Sequence, residues 1–395
     1  MRKSLLAMAA LMGVATLPAH AWRVNIDQET FADIGFSTIV RGISEGARKS
    51  NEKSRINFYV PLFNITASGQ VNKLVYFSMN AEGGSTEREL EKNTIRVRDS
   101  FIGLKFADEF RVQAGVMRAP FSRAALTSTY VQLFPYTHNY KRIGVLADNP
   151  TDVEVDAPAG TTSLNPRDHG IVVWGNVADG LVKYYLGITD GASIASSTND
   201  KLAYTIRLQF TPTMLGFKPE TGYTVSDTYL GRQNVLSIGV GYRVVGRSGA
   251  LRDTKMLTVD MLYEQKFGDL VPNLQVGYIN QKDPIVGTTA ADKASQLYIQ
   301  GGVLFDQMVG FGKPAFAVRW EQNKNENIAG APADRNDPKV TRVGVIAHYY
   351  IKGQAAKVSL GLDSVSLNSE AKNRGLPGPR FKNFTDINLQ FQTQF

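Results

Sequence analysis

Long stretches of the chain alternate strictly between apolar and polar residues, most clearly at the carboxyl end. In residues 384–395 (FTDINLQFQTQF), large apolar side chains occupy one parity, and amides with one aspartate occupy the other. Side chains of a β-strand point alternately to opposite faces, so this segment predicts a strand with one apolar and one wet face. A bulky apolar face opposite an almost uncharged polar face is typical of a membrane-spanning β-barrel.

The same alternation recurs along the whole chain, as in residues 182–189, 202–210, 236–244, 316–321 and 342–349. In each segment, the face that carries aromatic and branched aliphatic side chains carries no charge. A surface facing hydrocarbon requires this, because an Arg or Lys at the bilayer midplane costs ~2–4 kcal/mol. No linker or change of composition divides the chain, so we predict one all-β domain over residues 22–395, a transmembrane antiparallel β-barrel.

Turn-rich segments between these strands alternate between short and long. Short turns are predicted at 68–72, 107–109, 177–180, 267–272, 309–313 and 352–354, and long loops at 81–93, 119–167, 190–200, 281–294, 323–337 and 366–383. Short periplasmic turns and long external loops are the asymmetry of outer-membrane barrels. With residues 211–233 as one long connection on the short-turn side, the pattern predicts sixteen strands with both termini on that side. If residues 223–229 were paired as strands, eighteen would result.

The third external loop, residues 119–167, is too long to be a mere connector. Sixteen strands leave an aqueous lumen, whereas ~8 are filled by side chains. We therefore expect this loop to fold inward and narrow the channel, the alternative being that it decorates the outer mouth. Tyr130, Phe134, Tyr136 and Tyr140 are expected to pack it against the wall, with an aromatic path for saccharides as the alternative.

The amino terminus predicts export. Arg2 and Lys3 precede an apolar run over residues 5–17, and residues 19–21 (Ala-His-Ala) form a small-residue cleavage site, so residues 1–21 predict a signal peptide. About 13 apolar residues are too few for a spanning helix, which needs ~20.

Composition narrows the classes of protein. The chain contains no cysteine, which excludes disulfides, thiolate metal sites, a cysteine nucleophile and c-type haem attachment within it. Removing Arg2 and Lys3 takes the basic count from 44 to 42, against 36 acidic residues, for a net charge of +6. This excess is too small and too dispersed for a nucleic-acid-binding protein.

Strand parity also assigns charged side chains to the interior. The inward basic residues are Arg41, Arg55, Arg96, Arg98, Arg111, Lys183, Arg207, Arg243, Arg319, Arg342 and Lys357. The inward acidic residues are Asp33, Asp260, Glu264, Glu321, Asp363 and Asp386. Arginine predominates, and its planar guanidinium suits bidentate contact with phosphate or another oxyanion. The lining therefore predicts an anion-preferring pore, the alternative being that these arginines pair with the inward acids and only wet the walls.

The third loop adds four basic residues to this anion-binding set. They are Arg118, Arg123, Lys141 and Arg142, of which Arg118 and Arg123 are the predicted constriction residues. Carboxylates at residues 148, 152, 154 and 156 are spaced as calcium ligands, but pairing with nearby or lumenal arginines is the expected outcome. We predict no metal and no cofactor.

Four stretches of the chain are similar to one family. Residues 95–126 (IRVRDSFIGLKFADEFRVQAGVMRAPFSRAAL) and 168–191 (DHGIVVWGNVADGLVKYYLGITDG), with 256–277 and 340–363, resemble the phosphate-selective porin O and P family of Gram-negative outer membranes. The resemblance implies a sixteen-stranded trimeric porin with an inward third loop and an arginine-lined anion path. The third loop has no lysine cluster beyond Lys141, so the family's phosphate site is not carried over. Phosphate, selenite and small organic acids all remain candidate solutes.

The expected partners follow from this interpretation. They are outer-membrane lipid, small anionic solutes, two further copies of the chain in a homotrimer, and the barrel-assembly machinery through the terminal Phe395, with no nucleic acid. An enzyme is not expected, because His138, His169 and His348 stand in no His-x-Ser arrangement. A barrel that sheathes a partner multihaem cytochrome is the alternative function.

Overall fold

The computed structural model describes residues 22–84, 95–134, 167–191, 201–247, 252–286, 289–374 and 377–395. Its strands form one sheet in which every pairing is antiparallel and the last long strand pairs with the first. The strands are β1 Trp22–Asn25, β2 Phe31–Glu45, β3 Arg55–Gln70, β4 Val75–Gly83, β5 Arg96–Lys105, β6 Arg111–Arg118, β7 Arg167–Val177, β8 Val182–Thr189, β9 Ala203–Phe210, β10 Val235–Val245, β11 Thr254–Glu264, β12 Leu270–Lys282, β13 Ile285–Val286, β14 Thr289–Phe305, β15 Lys313–Ile328, β16 Lys339–Tyr350, β17 Ala356–Leu367 and β18 Phe384–Gln394.

Sixteen of these eighteen strands form the barrel wall. The short β13 pairs only with the start of β14, while β12 and β14 pair directly with each other. The short β1 continues the line of β18 beside β2, with Trp22 opposite Ile34 and Phe395 bonded in both directions to Phe36. The prediction of sixteen strands is confirmed, and the alternative of eighteen is wrong because residues 223–229 form no wall strand.

Strand β9 shows how the alternation produces two surfaces. Its outward residues Tyr204, Ile206, Leu208 and Phe210 are between 41% and 54% exposed, whereas the inward Arg207 is 1% exposed. Strands β8, β10, β15, β16 and β18 follow the same parity. Because the closed ladder pairs the backbone groups within the sheet, the outward band can face hydrocarbon.

The strands on one side of the barrel are longer than the sequence pattern predicts. The predicted loop 281–294 is mostly strand, because β12 runs to Lys282 and β14 begins at Thr289. Strand β15 likewise continues to Ile328, inside the predicted loop 323–337. Polar residues such as Lys282 and Lys293 pair across this extension. Beyond the membrane, solvent contacts both faces of a strand. Backbone pairing between strands can therefore continue into segments whose residues no longer alternate between apolar and polar.

Helical segments are few and short. They are α1 Arg123–Leu126, α2 Ser369–Asn373 and single turns of 3-10 helix at Thr129–Val131, Thr213–Leu215 and Ala333–Arg335. Among the described residues, no helix has both the length and the apolar character needed to cross a membrane.

Two connections enter the barrel from opposite ends. From the long-loop end, residues 119–134, here called the outer insert, run inward after β6; from the short-turn end, residues 220–231, the inner insert, run inward between β9 and β10. Together they form packed cores against the inner wall. One core contains Met117, Leu126, Val172, Trp174, Tyr185 and Val225. A second contains Leu133, Phe134, Ala317 and Ile346.

The outer insert is the first part of the third long loop. The rest of that loop, residues 135–166, lies outside the described residues, so the inward fold of the whole loop stays a prediction. The same holds for the signal peptide, residues 1–21. The inner insert was not foreseen, because residues 211–233 were interpreted only as a connection.

Candidate functional site: the charged interior

The two inserts meet at a buried ion pair between Arg123 and Glu220. Arg123 begins α1, a turn capped by the Ser122 side chain, which accepts a hydrogen bond from the backbone of Ala125. Its guanidinium donates two parallel bonds to Glu220, Nη1 to Oε2 at 2.8 Å and Nη2 to Oε1 at 2.7 Å. Both side chains are 1% exposed. This bidentate arrangement is among the strongest that side chains form.

The surroundings of Glu220 keep it ionised. Burial by itself would raise the pKa of the carboxyl, but the charge and hydrogen bonds of Arg123 outweigh burial and lower the pKa to about 2. Gln209 Nε2 donates to the same carboxylate at 3.0 Å, and the Tyr229 hydroxyl donates to it as well. Burial raises the pKa of Tyr229, so its phenol remains a donor. The carboxylate is therefore occupied by protein groups.

Asp260 on β11 ties the outer insert to the wall. Its carboxylate accepts Nη1 and Nη2 of Arg207 at 2.7 and 2.6 Å, and also the backbone N–H of Arg123 at 2.9 Å. Gly239 on β10 lies beneath this pair. A Cβ there would come within 2.2 Å of Arg207 Nη2, so the Arg–Asp pair requires glycine at this position.

A second Arg–Asp pair spans a glycine on the opposite part of the wall. Arg319 on β15 and Asp363 on β17 both lie opposite Gly344 on β16, and Arg319 Nη2 donates to Asp363 Oδ1 at 2.8 Å. The Phe134 ring of the outer insert lies 4.5 Å from the guanidinium carbon. This arginine therefore faces a carboxylate and an aromatic ring.

Arg243 on β10 is also paired. Nη2 donates to Asp168 Oδ2 on β7 at 2.9 Å, and Nη1 donates to Thr205 Oγ1 at 2.9 Å. Asp168 also accepts the backbone N–H groups of His169 and Gly191. The pair therefore fastens three wall strands and the start of a long loop.

Both inward lysines hold the inserts. Lys183 Nζ donates to the carbonyl of Gly222 in the inner insert at 2.6 Å. Lys357 Nζ donates to the carbonyls of Tyr130 and Gln132 in the outer insert at 3.3 and 3.2 Å. Each ammonium thus binds backbone oxygens of an insert, which are partial negative charges.

Part of the inner face of β3 and β4 differs from the rest of the wall. Its inward residues Asn57, Thr66, Ser78 and Asn80 keep intermediate exposure. Beside them lies a charged group that we call the arginine cluster. It consists of Arg98, Arg118, Arg167, Glu82 and Asp99.

The arginine cluster contains three basic and two acidic residues. Arg98 Nε lies 3.0 Å from Glu82, and Arg167 Nε lies 3.1 Å from Asp99. The charges of Arg98 and Arg118 also act on Asp99. Side-chain exposure of Arg98, Arg167 and Asp99 is 14%, 10% and 17%. Arg118 is buried, and its Nη1 donates to the Ala125 carbonyl at 3.0 Å. The cluster therefore combines excess positive charge with partial exposure of Arg98, Arg167 and Asp99 to solvent.

The remaining predicted basic residues lie elsewhere in the barrel. Arg41 donates to the Tyr59 hydroxyl at 3.1 Å and to Gln390 Oε1 at 2.9 Å. Arg55 pairs with Glu45 near the long-loop end. Arg111 bonds to Asp108 at the turn end and lies over the Trp174 ring, and Arg342 is buried on β16.

Three predicted residues have side chains outside the described part of the structure. They are Arg96, Lys141 and Arg142. Predicted aromatic packing is seen for Phe134, which contacts Ala317 and Ile346. The acidic loop positions 148–156, with Tyr136 and Tyr140, also lie outside the described residues.

The predicted inward acids serve the same pairing. Asp33 bonds to Arg23 at the turn end, Asp386 to Arg48, and Glu321 accepts Gln296 and Asn323. Glu264 accepts the backbone N–H groups of Tyr229 and Gly231 in the inner insert. The acids therefore lie beside inward cations or hold an insert in place.

Sequence reasoning missed the residues of the inner insert. Glu220 and Asp227 are the important ones, with Tyr223, whose hydroxyl donates to the Arg118 carbonyl at 2.6 Å. The available signal was length: this connection spans residues 211–234, whereas the other turns of the same end contain only a few residues. Connections that long commonly carry function.

Comparisons with known proteins agree with this architecture. The family model for phosphate-selective porin O and P matches residues 41–260, more than half of the chain. An uncharacterised protein of Aquifex aeolicus (strain VF5) is 24% identical over 357 residues, which cover 81% of this chain and 78% of that protein.

Solved porins share the fold at low identity. OmpF of Salmonella typhi, in complex with daunomycin, gives a TM-score of 0.59 at 15% identity and covers 95% of this chain and 100% of that one. The anion-selective porin of Comamonas acidovorans gives 0.58 at 11% identity, with coverage of 93% and 100%. OmpT of Vibrio cholerae, in its trimer form, gives 0.51 at 10% identity, with coverage of 92% and 99%.

A closed sixteen-stranded barrel with an apolar outer band and a charged interior defines an outer-membrane channel of the porin class. The chain belongs to the phosphate-selective porin O and P family. It is therefore a Gram-negative outer-membrane protein.

Proposed function

We propose that the protein is a porin for passive diffusion of small hydrophilic anions, with phosphate, selenite and small organic acids as candidate solutes. The observation that carries the proposal is the arginine cluster beside the partly exposed polar residues of β3 and β4. There, three arginines face two carboxylates, so a solvated passage along this face carries net positive charge. A charged cleft with low-dielectric walls concentrates ions of opposite sign.

Most other inward arginines do not contribute to this preference. Arg123, Arg207, Arg243 and Arg319 each have a carboxylate partner and are nearly buried. The opposite charges of a buried pair nearly cancel for an ion at a distance. Such a pair therefore stabilises the fold but does not make the channel selective for anions. The basic residues that we expect permeating anions to meet are therefore Arg98 and Arg167, whose side chains are 14% and 10% exposed.

Assembly as a homotrimer is part of the proposal. It is supported by the family and by the trimer form of Vibrio cholerae OmpT among the proteins of this fold. The alternative of a sheath around a cytochrome is not proposed, because the chain's own inserts occupy the lumen where such a partner would lie.

Planar-bilayer recording tests this function. The purified mature protein should form channels whose zero-current potential across a KCl gradient indicates preference for chloride over potassium. Phosphate, selenite and dicarboxylates added in turn should either carry current or reduce the chloride current. Absence of channels, or a potential of the opposite sign, would reject the proposal.

A further inference from the structure

We propose that the inner insert is a second constriction that positions the outer insert, and that Glu220 is the positioning residue that joins the two. The proposal concerns the size limit of the pore and goes beyond the proposed preference for anions. It rests on the contacts between the inserts and on the anchoring of the inner insert to the wall.

Glu220 forms the strongest of these contacts. Its carboxylate accepts both outer nitrogens of Arg123, the Gln209 amide and the Tyr229 hydroxyl. Arg123 Nη1 donates also to Ser237 Oγ at 3.0 Å. Glu220 therefore connects the outer insert to the wall at β9, and Arg123 itself reaches β10.

Further contacts extend along the outer insert. Val225 and Thr127 pair as a parallel β-bridge, and the Val225 N–H donates to the Leu126 carbonyl at 3.2 Å. The Leu133 N–H donates to Asp227 Oδ2 at 3.1 Å. The two inserts thus contact each other from Arg123 to Leu133, which is most of the described outer insert.

The inner insert is in turn fixed to the wall by hydrogen bonds on both of its sides. On β7 and β8, Asn176, Lys183 and Tyr185 donate to the carbonyls of residues 221, 222 and 223. On β12, Asn273 and Gln275 donate to the carbonyl of residue 227. Both inserts are thus anchored to the wall, the outer insert through Asp260 and Lys357, and Glu220 joins them where they meet.

These contacts define what loss of Glu220 does. In Glu220→Gln, Arg123 stays buried but loses the carboxylate that neutralises it, and breaking a buried ion pair from one side is strongly destabilising. Separation of the inserts restores water to Arg123 and widens the lumen. We expect a larger conductance level, occupied at least about tenfold more often than in the wild type, since tenfold corresponds to only ~1.4 kcal/mol.

A matched control breaks an equivalent pair elsewhere. Asp386 accepts both outer nitrogens of Arg48 at 2.7 and 2.8 Å, with side-chain exposures of 5% and 9%. This pair joins the connection between β2 and β3, residues 46–54, to β18, and among the described residues neither side chain has a hydrogen bond to an insert. Asp386→Asn should leave the conductance levels as in the wild type.

A reversible crosslink separates positioning from folding. Because the chain has no cysteine, Thr127→Cys and Val225→Cys introduce one pair of thiols at the bridge between the inserts. In the Glu220→Gln background, the oxidised pair should remove the larger conductance level, and reduction should restore it. Uptake of neutral sugars of increasing size into liposomes should follow the same pattern.

The outcomes are distinct. Wild-type conductance and sugar cut-off in Glu220→Gln, equal effects in Asp386→Asn, or failure of the two cysteines to crosslink would each overturn the proposal. Rescue by oxidation would support it even if Glu220→Gln folds poorly. Ion preference is measured separately, so a cation-selective wild type would reject the proposed function and leave this inference standing.

Discussion

Two regions of the inner wall contain arginines, and these arginines differ in their burial and in their balance with carboxylates. On β9, β10 and β15, Arg207, Arg243 and Arg319 are at most 2% exposed, and each has an aspartate partner. The arginine cluster lies beside polar residues of β3 and β4 that keep intermediate exposure, and it has one more arginine than carboxylates. The position of a residue in its strand determines whether its side chain points into the barrel. Burial under an insert then determines whether that side chain can contact a solute.

The covered region should be the more sensitive to loss of a single charge. Asp260→Ala leaves Arg207 buried without its aspartate and removes the acceptor for the backbone of Arg123. Removing one partner of a buried pair costs about 3–5 kcal/mol. The free energy of unfolding, measured by urea titration in lipid, should fall by this amount.

The double variant Arg207→Met with Asp260→Leu is the control for that prediction. Replacing both members of a buried pair by apolar residues is often close to neutral, so much of the lost stability should return. If the double variant is as unstable as Asp260→Ala, the loss does not come from an uncompensated charge.

Acid should weaken the contact between the inserts within a defined range. The pKa of Glu220 falls from its ordinary value of 4.5 to about 2 in the folded protein. Its stabilisation is complete above the ordinary value and is lost as pH falls from about 4.5 through 2. The size is roughly 3 kcal/mol, at ~1.36 kcal/mol per pKa unit.

The comparison of wild type with Glu220→Gln measures this effect. The difference in unfolding free energy should be constant above about pH 5 and should disappear near pH 2. A difference that grows on acidification would have the wrong sign for a carboxylate with a lowered pKa.

Substitution of glycine by alanine should lower stability where an insert packs directly on the wall, and should have no effect where the backbone is not crowded. A Cβ on Gly241 would lie 2.0 Å from the Phe121 carbonyl of the outer insert, whereas a Cβ on Gly222 would meet only the Thr224 carbonyl at 3.4 Å. Gly241→Ala should cost ~1–3 kcal/mol, as overpacking does, and should raise conductance. Gly222→Ala should match the wild type in both measurements.

Much of this barrel could be predicted from sequence because strand alternation is a local signal. The alternation within strands correctly predicted that Arg207, Arg319 and Asp260 point into the barrel. The alternation of short turns and long loops predicted the sixteen strands. Pairing could not be predicted in the same way, because Arg319 meets Asp363 only through the register of β15, β16 and β17. Gly344 lies between Arg319 and Asp363, and its role of leaving room for this ion pair can be recognised only when that register is known.

The inner insert was beyond sequence reasoning for a different reason. A residue such as Tyr223 has the same sequence signal in a wet periplasmic turn and in a packed lumen. Its burial depends on contacts with Trp174 and Tyr185, which lie far away in the chain. The sequence did not predict the extended ends of β12, β14 and β15, because strand segments with solvent on both faces need not alternate between apolar and polar residues.

Charge removal in the arginine cluster should change selectivity. Arg98→Gln removes one positive charge from the cluster, so the ratio of anion to cation permeability should fall several-fold. The double variant Arg319→Gln with Asp363→Asn removes a covered pair of zero net charge and should leave that ratio unchanged. Equal shifts in both variants would show that covered arginines also meet permeating ions.

The zero-current potential of the wild-type channel across a KCl gradient tests the central claim most directly. A potential of the sign set by chloride, reduced in Arg98→Gln, is the result that we predict. A potential of the sign set by potassium would contradict the account.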